Sequence, residues 1–275
     1  MKEDMISEYL EWLRTCSRSP RTIGARKDIL GRADAALPEG LAAATTEELK
    51  RWIYRDEWSL ATRETYYGAI RSFFVWASNP QDPRIDYDPS ALLPRPVKPR
   101  GLPRPVTDEQ LRRILTESIE PYRTWSLLAA YEGLRCCEIA QLDRSDIDER
   151  TVLIRRGKGG RPGVVPTHPM VWAAVKDLPP GPLATGDNGD RVGAKWVSIR
   201  TALYFRRQLG MPGVALHRLR HWFGTNTYRT TKDIRVTQEL LRHSSPTTTA
   251  IYTLINDEER AAAIHALPTF TGQPS

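Results

Sequence analysis

Cysteine and long apolar stretches are both scarce in this sequence. Of its 275 residues only three are cysteine, Cys16, Cys136 and Cys137, and they form neither a C-x-x-C motif nor an even set. A disulfide framework is therefore excluded, which fits a reducing compartment such as the cytosol. No stretch reaches the roughly 18 apolar residues of a membrane-crossing helix, and the first four positions already carry charge, so we expect neither a membrane span nor a secretory signal.

An excess of acidic residues is absent as well. The formal net charge is +7 at pH 7 and the isoelectric point is near 9.4, which favours a polyanionic partner. The balance of charge is +1 over residues 1–100 and +6 over residues 101–275. The downstream part is therefore the better candidate for contacts with phosphate groups.

Apolar spacing and capping residues predict four helices over residues 1–88. The first covers residues 4–15, and the others begin near Ser19, after Thr46 and at Ser59. In the first helix the apolar side chains Met5, Tyr9, Trp12 and Leu13 are expected to lie near one face. Helices of this number and length are typical of a small bundle.

A proline-rich segment then separates this bundle from the rest of the chain. Six prolines and four basic residues lie between Pro89 and Pro105, and proline removes backbone donors and stiffens the chain. We therefore expect a linker over residues 89–104 and a second domain over residues 105–275. In that domain Thr107 and Gln110 match a capping box.

Four short motifs in the second domain carry groups that can hold a phosphate and attack it. They are G-L-R-C-C-E at 133–138, G-K-G-G-R at 157–161, H-R-L-R-H at 217–221 and H-S-S-P-T-T-T-A-I-Y at 243–252. The second motif is predicted to be the turn of a β-hairpin with strands at 151–156 and 164–166. His217 and Arg220 are three residues apart and so share one face of a helix. Guanidinium groups stay charged and bind two oxygens at once, while imidazole moves protons and a phenol can act as nucleophile.

The four motifs, in this order, resemble the tyrosine recombinase (phage integrase) family over most of residues 105–255. The resemblance implies a mainly α fold, with an N-terminal four-helix core-binding (SAM-like) DNA-binding domain. The second domain is then a mixed, mostly α catalytic domain with a small antiparallel β-sheet and a C-terminal tail helix. It also implies an enzyme that cuts and rejoins DNA through a 3′-phosphotyrosine intermediate, with neither metal nor cofactor nor ATP.

Six residues match the catalytic positions of the family: Arg135, Lys158, His217, Arg220, His243 and Tyr252. By resemblance, Tyr252 attacks the phosphate, Lys158 protonates the leaving 5′-hydroxyl and His217 accepts or relays the proton of the phenol. The two arginines and His243 bind the non-bridging oxygens, where negative charge grows.

Three positions depart from the family pattern. Arg242 stands where glycine is usual, Gly163 where a basic residue is usual, and Leu254 where a histidine is common. Arg242 either alters the turn before His243 or adds a phosphate contact, and the sequence leaves both possibilities open. Glu138 is expected to orient Arg135 or a neighbour and to take no direct part in the chemistry.

The resemblance also implies partners and a place of action. Double-stranded DNA core sites are the expected partner, bound by a homo-oligomer that forms a tetrameric synapse, in the cytoplasm and nucleoid of a bacterial cell. A tail helix near residues 256–266 packs on a neighbouring protomer or on its own domain. Because the helices of the bundle begin almost at once, we expect a phage or mobile-element integrase without an arm-binding domain. A chromosome or plasmid dimer resolvase, a type IB topoisomerase and an inactive DNA-binding regulator remain alternatives.

Overall fold

The computed structural model describes residues 2–97, 103–155 and 162–242, with the side chains of residues 2–4 excepted. The chain divides into two compact units, Met1–Gly101 and Leu102–Ser275. Lys158, His243, Tyr252 and the predicted tail helix lie outside the described residues. Among the helices of the described ranges, none is both long enough and apolar enough to cross a membrane.

Four α-helices form the described part of the first unit. They are α1 (Lys2–Thr15), α2 (Pro20–Ala36), α3 (Thr46–Ile53) and α4 (Leu60–Ala77). The predicted caps of α2 and α4 are confirmed, because the hydroxyls of Ser19 and Ser59 accept hydrogen bonds from backbone amides of the first turn. The start of α3 is one residue earlier than predicted. Thr45, not Thr46, is the cap, because Glu48 lies three residues after Thr45 and completes a capping box with it.

The core of the first unit is rich in aromatic side chains. Tyr9 and Phe73 are fully buried and meet edge to face, with ring centroids 5.5 Å apart. Of the residues expected on one face of α1, Trp12 is 41% exposed. Trp12 lies at the border of the apolar face of α1, where its ring stacks on that of Tyr9 at 5.8 Å.

The first part of the predicted linker also belongs to this core. Leu93 is buried among the apolar side chains of the first unit, and Ser90 is fully buried. The hydroxyl of Tyr54 donates a hydrogen bond to the carbonyl of Pro94. The expectation of an unburied spacer is therefore wrong for residues 89–94, because the carbonyls of Pro89 and Pro94 accept hydrogen bonds from hydroxyls of the bundle and Leu93 packs into its apolar core.

The second unit is mostly helical with one small sheet. Its elements are α5 (Asp108–Glu117), α6 (Tyr122–Tyr131), α7 (Cys136–Ile139), β1 (Thr151–Ile154), β2 (Gly163–Pro166), α8 (Pro169–Val175), α9 (Ala194–Arg207), α10 (Leu216–Thr231) and α11 (Ile234–Leu240). The strands are antiparallel, with Thr151 opposite Pro166 and Ile154 opposite Gly163. The capping box of Thr107 and Gln110 is confirmed at the start of α5.

Helix α6 lies at the centre of the second unit. Residues 124–130 are buried without interruption, and the indole of Trp125 donates to the carbonyl of Leu183 at 2.9 Å. Helix α10 packs against α6, and α11 packs against α10. This packing brings the turn after α6, the first turns of α10 and the end of α11 to one place.

Candidate active site

Gly133 makes the turn that leads from α6 into α7. Its φ is +59°, a left-handed conformation that favours glycine. A Cβ at this position would lie 2.6 Å from a ring carbon of Phe223 on α10, closer than carbon atoms approach. Conformation and packing therefore both require glycine at the start of the G-L-R motif, and the turn places Arg135 at the first position before α7.

The carboxylate of Glu138 lies at the centre of a group of charged side chains, which we call the Glu138 cluster: Glu138, Arg135, Arg220 and Arg242. The side chain of Glu138 is fully buried. Its two oxygens accept hydrogen bonds from Arg135, one from the backbone amide and one from Nη1, both at 2.8 Å. The predicted orienting role of Glu138 is therefore confirmed for its contact with Arg135.

Arg220 is held almost wholly inside the protein. Its side chain is 2% exposed and comes within 3.9 Å of the Glu138 carboxylate. The guanidinium donates to the carbonyl of Gly133 and, at 2.6 Å, to that of Leu241 at the end of α11. A buried guanidinium is tolerated only with such partners. They fix the orientation of Arg220 relative to the turn at Gly133, helix α7 and the end of α11.

Arg242 supplies the third guanidinium of the cluster. Its Nη2 lies 2.9 Å from Oε2 of Glu138. Burial raises the pKa of Glu138, but Arg242, the Arg135 amide and the charges of Arg135 and Arg220 lower it further, so the pKa lies below its usual value. Glu138 is thus a carboxylate at neutral pH, surrounded by three cations.

The two histidines of the H-R-L-R-H motif lie one turn apart on α10. Their ring centroids are 4.3 Å apart. Partial burial of the His217 ring, together with the charges of Arg220 and Arg135, lowers its pKa from the ordinary value of 6.5. Burial, His217 and Arg220 lower the pKa of His221 to about 4. Both imidazoles are therefore neutral at pH 7, and His217, the more exposed of the two, is able to accept a proton.

Of the six residues predicted from the sequence, the structure brings together Arg135 and Arg220 through Glu138, with His217 on the same helix as Arg220. Lys158 belongs to the segment that joins β1 to β2, and His243 directly follows Arg242, but both lie outside the described residues together with Tyr252. The described part can hold an anion of phosphate type, because its charged groups carry a positive excess and fixed guanidinium donors. A neutral imidazole nearby supplies a base.

Sequence reasoning missed Glu132, a second buried carboxyl group close to the cluster. The residue is 1% exposed and accepts a hydrogen bond from the backbone amide of His168 at 2.7 Å. Burial raises its pKa to about 7, although the amide of His168 and the charge of Arg242 oppose that rise. Glu132 thereby ties the end of α6 to the start of α8, just after β2. The only signal in the sequence was an acid directly before the glycine of the G-L-R motif.

Comparisons with known proteins agree with this arrangement. The sequence profile described as the phage integrase family matches residues 198–259. The chain is 32% identical over 273 residues to tyrosine recombinase XerA of Thermococcus onnurineus, covering 93% of this chain and 92% of that protein. It is 33% identical over 195 residues to tyrosine recombinase XerC of Chromohalobacter salexigens, where the matched part spans 65% of each protein.

A solved structure shares the fold. A lambda integrase dimer bound to a COC' core site superposes with a TM-score of 0.74 at 19% identity, covering 94% of this chain and 78% of that one. At this identity the likeness concerns the fold alone. It agrees with the predicted class, which is mainly helical with a small antiparallel sheet.

Proposed function

Because the chain belongs to the phage integrase family of tyrosine recombinases, we propose that it is a site-specific DNA recombinase whose nucleophile is Tyr252. Members of this family cleave and rejoin DNA through a tyrosine intermediate. The observation that carries the proposal is the pair Arg135 and Arg220, fixed around the buried carboxylate of Glu138. A prearranged pair of this kind suits the charge of a phosphodiester under attack.

Charge neutralisation is the first task of such a site. Attack on a phosphodiester increases the negative charge on its non-bridging oxygens, and Arg135 and Arg220 are the proposed donors to them, assisted by His243. Fixed donors of this type contribute on the order of 10²–10³ in rate each. Their orientation is set before substrate arrives, because Glu138, Gly133 and Leu241 hold the guanidinium groups.

Proton transfer is the second task. The hydroxyl of Tyr252 attacks phosphorus and forms the phosphotyrosyl ester, while the bond from phosphorus to the 5′-oxygen breaks. The proton of the phenol passes to neutral His217, and Lys158 donates a proton to the departing 5′-oxygen. The 5′-hydroxyl of a partner strand then attacks the ester and releases Tyr252, so the phosphodiester is restored without ATP.

Two biological roles fit this chemistry. We propose integration or excision of a phage or mobile element, in keeping with the family that matches residues 198–259. A second candidate is resolution of chromosome or plasmid dimers, favoured by the similarity to XerA and XerC. In either role the partner is double-stranded DNA, bound by a homo-oligomer. The lambda integrase of similar fold is a dimer on its core site, and we propose a tetrameric synapse with the tail exchanged between protomers.

The nucleophile can be tested without knowing the target sequence. Fragmented genomic DNA of the source organism is incubated with the protein, and the mixture is then denatured. The DNA fragments that stay covalently attached to the protein are isolated and sequenced. Digestion with trypsin yields the peptide His243–Arg260, in which Tyr252 is the only tyrosine. We expect a nucleotide adduct on that peptide, located by mass spectrometry, and recurring fragment ends that define the core site.

Two variants complete the test. Tyr252→Phe should retain DNA binding and form no adduct, whereas Tyr228→Phe, the matched control on α10, should form it at the normal rate. An adduct that persists in Tyr252→Phe contradicts the proposal. Relaxation of supercoils without exchange between two copies of the recovered site indicates a topoisomerase, and binding without any adduct indicates a regulator.

A further inference from the structure

We propose that Arg242 is a positioning residue of the active site, and that Gly163 provides the space it occupies. The proposal rests on the recombinase function above. It assigns a joint purpose to two positions, 163 and 242, that depart from the family pattern. Arg242 would act through Glu138 on Arg135 and Arg220, and would not contact the substrate.

The backbone at Arg242 is the first observation. Its φ is +51°, in the left-handed region that side chains other than glycine rarely adopt. The residue follows directly on the end of α11, where glycine commonly makes this turn. An arginine in this conformation is maintained when contacts of its side chain compensate for the strain.

Those contacts are numerous and directed inward. Nη2 of Arg242 lies 2.9 Å from Oε2 of Glu138 and 3.4 Å from the carbonyl of Gly133, and Nη1 lies 2.9 Å from the carbonyl of Leu240. The side chain is only 14% exposed. The sequence left open whether Arg242 alters the turn or contacts a phosphate. In the structure its guanidinium is instead directed to the carboxylate of Glu138.

Gly163 is the second half of the arrangement. A Cβ built on Gly163, at the start of β2, would lie 3.0 Å from Cδ and 3.8 Å from Cγ of Arg242. Nearly all real Cβ contacts are longer than the first of these distances. The aliphatic part of the Arg242 side chain therefore passes over Gly163, and a Cβ there would require this side chain to shift by a few tenths of an ångström.

The electrostatic consequence concerns the other two arginines. One carboxylate is shared by three guanidinium groups, so the cluster keeps an excess of two positive charges. Oε2 of Glu138 accepts from Arg242 and from the amide of Arg135, while Oε1 accepts from the Arg135 side chain. Without Arg242, more of the Glu138 charge would act on Arg135 and Arg220 and would reduce their attraction for a developing phosphate charge.

The pairing of the two positions is tested by a double-mutant cycle on thermal unfolding, which requires no activity. Gly163→Ala should lower the Tm in the presence of Arg242 and change it little in the Arg242→Gly background. Gly193→Ala is the control, because Gly193 has an ordinary φ of −80° and open space around its Cβ. Equal shifts of Tm from Gly163→Ala in both backgrounds would overturn the pairing.

The positioning role is tested on the core site recovered by adduct capture. Arg242→Gly should lower the single-turnover cleavage rate about tenfold or more, since small misplacements of catalytic groups have large effects on rate, with the Kd for the site changed less than about twofold. Arg242→Lys should restore part of the rate, because it keeps a cation near Glu138. The control is Arg235→Ala on α11, whose side chain is 76% exposed and pairs only with Glu239 among its described ion pairs.

The outcomes separate this proposal from the general one. Normal cleavage by Arg242→Gly, with adducts still dependent on Tyr252, overturns the positioning role and leaves the recombinase function intact. Loss of DNA affinity equal to the loss of rate would make Arg242 a DNA contact and also overturn it. Failure of the wild-type protein to form any adduct would overturn the recombinase function itself, while the unfolding cycle would still decide whether positions 163 and 242 are paired.

Discussion

The two units of this protein differ in what they bury. Among described residues of the first unit, the buried side chains are apolar or aromatic apart from Ser90. Among the described residues of the second unit, four charged side chains are buried: Glu132, Glu138, Asp146 and Arg220. Burial of charge opposes folding unless each charge has partners. The buried charged groups of the second unit therefore depend on their partners, Arg135 and Arg242 for Glu138 and Arg155 for Asp146, to offset the cost of their burial.

The stabilising interactions differ accordingly. The buried contacts of the first unit are mainly between uncharged side chains, such as the edge-to-face rings of Tyr9 and Phe73 and the stacked pair of Trp52 and Tyr66 at 5.0 Å. The second unit depends on a network in which Glu138 has three cationic partners. An apolar core loses stability in proportion to the side-chain volume that a mutation removes. In a buried polar network, one mutation leaves the remaining charged groups without a partner and so costs more than a single contact.

Glu138→Ala should give the largest loss of stability. It removes the counter-charge of Arg220, which is 2% exposed, and breaking a buried pair in this way costs about 3–5 kcal/mol. Chemical denaturation of the variant and of Glu117→Ala measures the difference. Glu117 pairs with Arg113 at the surface, so its removal should cost much less than the removal of Glu138, and equal losses for the two variants would contradict the central role of Glu138.

Glu132→Gln should raise stability at alkaline pH. Burial raises the pKa of Glu132 in the folded protein to about 7. The protonated carboxyl group therefore contributes its full stability below the unfolded pKa near 4.5, and this stability is lost as the pH rises through 7. Glutamine keeps the acceptor for the His168 amide without this loss. At about 1.4 kcal/mol per pKa unit the gain at pH 8 is on the order of 3 kcal/mol, and at pH 5, close to the unfolded pKa, it should be smaller than about 1 kcal/mol.

Unfolding curves at pH 5, 6.5 and 8 check this prediction, with the surface variant Glu109→Gln as the control. The side chain of Glu109 is exposed, so this variant controls for the loss of one surface charge. A gain from Glu132→Gln that is the same at all three pH values would mean that the buried carboxyl group is not the titrating group.

Local signals explain how much of the fold was predictable. Ser19, Ser59 and Thr107 marked the starts of helices correctly, because a cap acts within one turn of its own residue. The start of α3 was also encoded, in the pairing of Thr45 with Glu48. Helices α8 and α11 have seven residues each and are too short to show a clear apolar period.

The candidate site was predictable in its residue types but not in its contacts. Glu138 and Arg135 are three residues apart, and their contact followed from helix geometry. Arg242 meets Glu138 across 104 positions of sequence, and no local rule connects them. That contact depends on how α6, α10 and α11 pack, which is a property of the folded unit.

Ile70→Val should have a smaller effect, of a different kind. Ile70 is fully buried in the first unit, and removal of one methylene group costs about 0.5–1.5 kcal/mol. The loss should be the same at pH 5 and pH 8, because no titrating group is involved, unlike that from Glu132→Gln. Val75→Ala, at a position 52% exposed on α4, should change stability by less than about 0.5 kcal/mol. A strong pH dependence of the Ile70→Val effect would contradict the uncharged character of this core.

The smallest expected effect is a gain of stability in the first unit. Gly31 lies within α2, and a Cβ built there meets nothing within 4 Å, so Gly31→Ala should add about 0.4–1 kcal/mol by restricting the unfolded chain. Gly40, with a φ of +77°, is the matched control in the same unit, because alanine there is strained and should lower stability. Urea unfolding of the two variants measures both. A loss of stability from Gly31→Ala as well as from Gly40→Ala would mean that the open space around Gly31 does not decide the effect of a side chain there, and a gain from both would mean that the positive φ of Gly40 imposes no strain on alanine.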